Sequence, residues 1–164
     1  MSSPRIFTIG HSNHTIETFI DLLKRHGVTC LVDVRSAPYS RYSPHFRKRS
    51  LEAHLGEEMI EYVYLGGELG GRPGESRDFT PDDMIEYRDI ARQPWYEDGL
   101  QQLLKISRQS SVAIMCSEEN PDRCHRNLLI AQSLLVRSLA NVQHIRGDGT
   151  VEPARLRPEQ TKLF

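Results

Sequence analysis

Five short apolar runs punctuate the chain: RIFTIG at 5–10, CLVDVR at 30–35, EYVYL at 61–65, SVAIMC at 111–116 and NVQHI at 141–145. Helical patterns lie between them, and such alternation argues a parallel sheet covered by helices. From Thr15 to His26, the residues Ile16, Phe19, Ile20 and Leu23 recur at helical spacing, with Gly27 where a C-terminal cap belongs. That segment is the first crossover helix. Thr80, Pro81 and Asp83 suit the N-cap, first turn and third position of a helix through about Ala91, and Trp95 to Ser107 forms another that leads into SVAIMC. The expected fold is a single α/β domain over 1–149, with a mainly parallel sheet of about five strands flanked by helices, in Rossmann-like or rhodanese-like layering. After Gly149 the run TVEPARLRPEQTKLF, with two prolines and few apolar residues, reads as a loosely structured, flexible tail over 150–164.

A chain of 164 residues with 38% hydrophobic content fits one compact domain and one site. MSSPRIFTIG has no apolar segment of signal-peptide length, and no run approaches the ~20 apolar residues that span a bilayer. A soluble, cytoplasmic protein without a membrane partner is expected. The three cysteines are few and odd in number, with Cys30 inside an apolar run, so reduced thiols are expected rather than a disulfide framework. The net charge of −1 does not itself point to nucleic acid. It conceals an asymmetry, because RSAPYSRYSPHFRKR (35–49) carries five basic residues and no acid.

In open parallel sheets ligands bind beyond the carboxyl ends of the strands. After the first strand come His11, Ser12 and Asn13, which offer ring nitrogens, a hydroxyl and an amide; Ser12 or Asn13 serves equally well as a helix cap. The second strand puts Leu31, Asp33 and Arg35 on one face and Val32 and Val34 on the other. A carboxylate in an apolar run must be paired, and Arg35 is the obvious partner for Asp33, in a structural or a functional pair.

The fourth run ends in CSEENPDRCHRN, Cys116 to Asn127. Asn120 suits an N-cap and Pro121 the first position of a helix whose free N–H groups would face the crevice. The helix dipole with Arg123 or Arg126 would favour a Cys116 thiolate, and Glu118 and Glu119 would oppose it. Cys116 is therefore either a nucleophile or a small packed residue. Cys124 falls in line with Leu128, Ala131 and Leu135 and reads as packing. Cys116, Cys124 and His125 lack a fourth metal ligand, so no metal is expected.

Between the second and third strands, Tyr39, Tyr42, His45 and Phe46 alternate with Arg41, Arg47, Lys48 and Arg49. Aromatics stack on bases and cations track phosphates, which suits single-stranded or flipped nucleotides. GGELGGRPGE, at 66–75, matches neither GxxxxGK[ST] nor GxGxxG, so it reads as a flexible loop and no cofactor is expected.

Taken in order, TIGHSN, DVRSAPYSR, LGGELGGRP, CSEENPDRCHR and HIRGDG resemble the domain of unknown function 488 family over Ile6 to Gly149. The resemblance implies an α/β fold and a shared site at His11, Asp33, Arg35, Arg41, Cys116, Glu118, His125 and Arg126, with no substrate attached. LVDVR followed by a strand-ending cysteine is also similar to rhodanese sulfurtransferases and cysteine phosphatases. Here six residues separate Cys116 from Arg123 where a phosphatase loop has five, and two glutamates and a proline occupy that loop. The last five residues, QTKLF, resemble the peptide by which bacterial repair and replication proteins dock on the beta sliding clamp, with Gln160, Leu163 and Phe164 as anchors.

These readings converge on a bacterial enzyme acting on DNA or a nucleotide, hydrolytic or glycosylase-like, serving DNA repair and held by the clamp. His11, Asp33, Glu118, His125 and Cys116 are its catalytic candidates; Ser12, Asn13, Arg35, Tyr39, Arg41, Phe46 and Arg126 are its substrate-binding candidates. The alternatives are a rhodanese-like or phosphatase-like cysteine enzyme and a non-catalytic nucleic-acid-binding adaptor.

Overall fold

The computed structural model describes residues 3–72 and 87–157. Strands β1 (Arg5–Gly10), β2 (Cys30–Asp33), β3 (Glu61–Tyr64), β4 (Val112–Cys116), β5 (Asn141–Ile145) and β6 (Val151–Pro153) form one six-stranded sheet in the order β3-β2-β4-β1-β5-β6. All neighbours pair in parallel except β5 and β6. Each of the five runs picked out by its apolar residues is a strand. The sixth strand corrects the reading of a loose tail from residue 150: Val151 to Pro153 pairs with β5, and Gln132 binds the carbonyl of Arg155 and the N–H of Arg157. Edge pairing satisfies backbone groups that few apolar residues could not have anchored. QTKLF lies outside the described residues.

The helices are α1 (Ile16–Arg25), α2 (Lys48–Glu57), α3 (Gly66–Leu69), α4 (Tyr87–Ala91), α5 (Pro94–Ser107) and α6 (Gln132–Val136). Thr15 caps α1, its hydroxyl accepting from the Thr18 N–H, and Gly27, at φ +69°, lets the chain turn off the helix. The start expected at Thr80 for the helix that reaches Ala91 lies outside the described residues.

Side-chain alternation along the strands builds two cores. Leu31, Phe7, Ile9 and Met115 pack under α1 and α2, while Val32, Val34, Ile114 and Val142 pack against α5 and α6. Phe19 and Leu23 of α1 are fully buried, each worth about 1.5–3 kcal/mol of apolar burial. Register then positions the site. Gly10 lies opposite Cys116, and Asp33 opposite Met115, so three strands end at one level. From there the chain leaves β2 toward β3 and leaves β4 toward β5, in opposite directions across the sheet, which opens a crevice between their loops. Gly10 must be glycine, since a Cβ there would stand 1.7 Å from the Glu118 carbonyl oxygen.

Candidate functional site

A crevice of about 390 Å³ opens at these strand ends, lined by Arg35 to Ala37 and Tyr39 after β2, Cys116 to Glu118 and Arg123 to His125 after β4, and Gly71, Arg72 and Tyr87. Its cationic wall begins with Arg35. The expected pair is present: Arg35 Nε donates to Asp33 Oδ1 at 2.9 Å and Nη2 to Oδ2 at 2.8 Å, with both side chains buried. Tyr62 donates a 2.6 Å bond to Asp33 Oδ2. With its oxygens so engaged, Asp33 orients Arg35 and is not placed to exchange protons with a ligand.

His11 supports the same arginine. Its Nδ1 donates to the Ser12 carbonyl at 2.8 Å, leaving Nε2 to accept from Arg35 Nη1 at 3.4 Å, and its ring stacks on Phe46. Burial drives its pKa from 6.5 down to about 4, so the ring is neutral at pH 7. His11 thus stands behind the crevice wall. Neither Ser12 nor Asn13 lines the crevice or caps α1, a role taken by Thr15.

Two substrate-binding expectations are corrected. Phe46 is 0% exposed, wedged between His11 and the edge of Phe19, so no face remains for a base. Arg126 is also 0% exposed and gathers the Cys116 loop by its carbonyls: Nη1 donates to Glu118 O at 2.6 Å and Nη2 to Glu119 O at 2.9 Å. Its Nε donates to Thr8 Oγ1, which in turn bonds His144 Nδ1 at 2.6 Å. Arg126 therefore builds the loop and does not grip phosphate. Arg41 is exposed beyond the crevice, over the ring of Tyr42, whereas Tyr39 lines the crevice with 58% of its surface free and Arg47 across its ring.

The loop also departs from the expected helix start. Asn120 caps and Pro121 opens a turn, but the turn is 3₁₀ and ends at Arg123; Cys124 is extended, and a wide π-type segment, Arg126–Ala131, leads into α6. The continuous helical run therefore begins at Arg126 and not at Pro121. Glu119 closes the loop from the other side through Arg146 and the Gly147 N–H, and the Arg146 bond holds its pKa down at about 2. Glu118 stays exposed at the crevice mouth.

His125 donates Nε2–H to the Val34 carbonyl at 2.8 Å, which leaves Nδ1 as an acceptor; burial lowers its pKa to about 4. Gly71 packs on this ring, where a Cβ would come within 2.8 Å of it. Cys116 and Cys124 meet sulfur to sulfur across the loop, with Cα atoms 7.3 Å apart. That contact overturns the expectation of separate reduced thiols, because the loop doubles back onto the strand end. Sequence reasoning passed over Ser117, Arg72 and Tyr87 as lining residues and gave Arg123 no contact with a ligand. The only signal for Arg72 was its place in the glycine-rich run. Among the described residues, no group of three metal-ligating side chains could hold an ion.

The fold and crevice define an α/β protein with a cleft at the carboxyl ends of a mainly parallel sheet, lined by Arg35, Arg72 and Arg123 with Glu118 among them. The family model described as "Domain of unknown function DUF488" matches residues 15–132, and the chain belongs to that family. No curated protein and no solved structure matches the chain. Among the described residues no helix is long and apolar enough to cross a membrane.

Proposed function

We propose that this chain is a cytoplasmic enzyme acting on nucleic acid or a nucleotide, a hydrolase or glycosylase serving DNA repair. The observation that carries this reading is the convergence of Arg35, Arg72 and Arg123 on one open crevice beside the exposed ring of Tyr39. Guanidinium groups match phosphate geometry, with Arg123 exposed at the crevice and Arg35 adding its charge from the wall where Asp33 and His11 hold it, and a tyrosine face accepts a base. Glu118 at the mouth is the carboxylate that activates water, and His125 Nδ1 is a second acceptor within the wall. Cys116 has no part in this hydrolysis. Its loop turns carbonyls inward to Arg126, the opposite polarity to a loop that cradles an anion with N–H groups.

Removing the exposed Arg123 leaves the core untouched, so Arg123→Ala is expected to weaken binding of a single-stranded oligonucleotide about tenfold and to lower the logarithmic salt slope by about 0.7. Glu118→Gln is expected to abolish turnover of a damaged oligonucleotide while sparing binding. A salt titration of binding and a turnover assay check both, and an unchanged slope with full Glu118→Gln turnover would return the crevice to a structural role.

The reading extends to the terminal residues. Gln160, Leu163 and Phe164 are proposed to dock in the peptide groove of the beta sliding clamp. Because a few anchors dominate small interfaces, Leu163→Ala with Phe164→Ala is expected to cost more than ~2 kcal/mol of clamp affinity. Turnover of a short free oligonucleotide should survive the change. Equal clamp binding by wild type and double variant in a titration would remove the clamp from the proposal.

A further inference from the structure

Arg126 is a buried cation with no carboxylate among its hydrogen-bond partners in the described residues. Its acceptors are Thr8 Oγ1, the carbonyls of Glu118 and Glu119, and the Cys116 sulfur, 3.1 Å from Nη1. Of these atoms only the sulfur can readily become an anion: it is neutral while bonded to Cys124, and in the reduced state a Cys116 thiolate supplies the charge that burial of a guanidinium demands. Cys124 is bonded to that sulfur in the structure, and its own sulfur lies 3.8 Å from His125 Nδ1, the nitrogen left as an acceptor by the bond to Val34. Both cysteines line the crevice. The third cysteine is excluded, since Cys30 does not line the crevice and burial pushes its thiol up to about 12.

We infer that Cys116 and Cys124 are a redox-active dithiol–disulfide couple whose oxidant is a small disulfide bearing carboxylates, drawn in by the arginines of the crevice. The Cys116 thiolate attacks one sulfur of the small disulfide; that S–S bond breaks, a mixed disulfide forms on Cys116, and the first small thiolate leaves and takes a proton from water. Cys124 then passes its proton to His125 Nδ1 and attacks the Cys116 sulfur. The second small thiolate leaves with that proton, and the Cys116–Cys124 bond is closed. The protein loses two electrons and the Cys124 proton, water supplies the second proton, and the small disulfide leaves as two thiols. This couple shares the crevice arginines and His125 with the hydrolytic reading but needs neither Glu118 nor a nucleic acid.

The test uses the reduced full chain with glutathione disulfide as the probe, read by mass spectrometry after quenching. Wild type is expected to end as the internal disulfide with no retained glutathione. Cys124→Ser should accumulate one glutathione on Cys116, at least tenfold faster than Cys116→Ser gains one on Cys124, with a flatter pH dependence than a free thiol shows. The inference is overturned if the two variants react at similar rates, if neither reacts, or if wild type keeps the glutathione without closing the internal bond.

Discussion

Asp33→Ala is expected to destabilise the chain by about 3–5 kcal/mol, because it strands a buried charge without its partner. Asp33 is 0% exposed, and its carboxylate accepts from Arg35 Nε, Nη2 and backbone N–H and from the Tyr62 hydroxyl. Removal leaves the guanidinium of Arg35 beside a neutral His11, which cannot replace the lost charge. It also frees Arg35 to swing, so oligonucleotide binding should fall with stability. Replacing both partners, Asp33→Leu with Arg35→Met, should restore much of the stability and none of the binding, which separates the two effects. Urea unfolding at constant m-value reads the first quantity and a binding titration the second. A loss below about 1 kcal/mol for Asp33→Ala would mean that water reaches the pair and that Arg35 is not rigidly held.

Mild acid is the second large perturbation. His11, His125 and His144 each have a pKa lowered from 6.5 to about 4, in every case chiefly by burial. Arg35 adds to the depression at His11, and Arg126 at His125 and His144. In the unfolded chain the three titrate near 6.5, so between that pH and about 4 the unfolded state binds more protons than the folded one. Stability fully present above pH 6.5 is therefore lost as pH falls through this window, at up to about 1.4 kcal/mol per pH unit for each histidine. Glu119, held down at about 2 by Arg146, extends the loss in the same direction at lower pH. Denaturant titrations at pH 7, 5.5 and 4.5 check the slope, and His144→Gln should flatten it. Equal stability at pH 7 and 5 would show that these rings are protonated in the fold.

Asp33 and Arg35 are two residues apart in a strand, so a period of two put them on one face and apolar neighbours forced them to pair. The five main strands, the helix from Ile16 and the cap at Asn120 were legible for a similar reason: each follows from spacing or turn chemistry within a few residues. Phe46 was misread because a basic, aromatic loop looks the same whether its ring faces water or, as here, His11 and Phe19 from other elements. Arg126 looked like a phosphate ligand because nothing near it reveals that the carbonyls of Glu118 and Glu119 turn onto it.

Local pattern thus determined the α/β class, the strand ends as the place of the crevice, and the Asp33–Arg35 pair. The tertiary structure alone decided which side chains reach the crevice, that Cys116 and Cys124 meet, and that Val151 to Pro153 adds a sixth strand. These depend on sheet order and on how loops close across it, contacts between residues far apart in the chain that no short-range periodicity encodes.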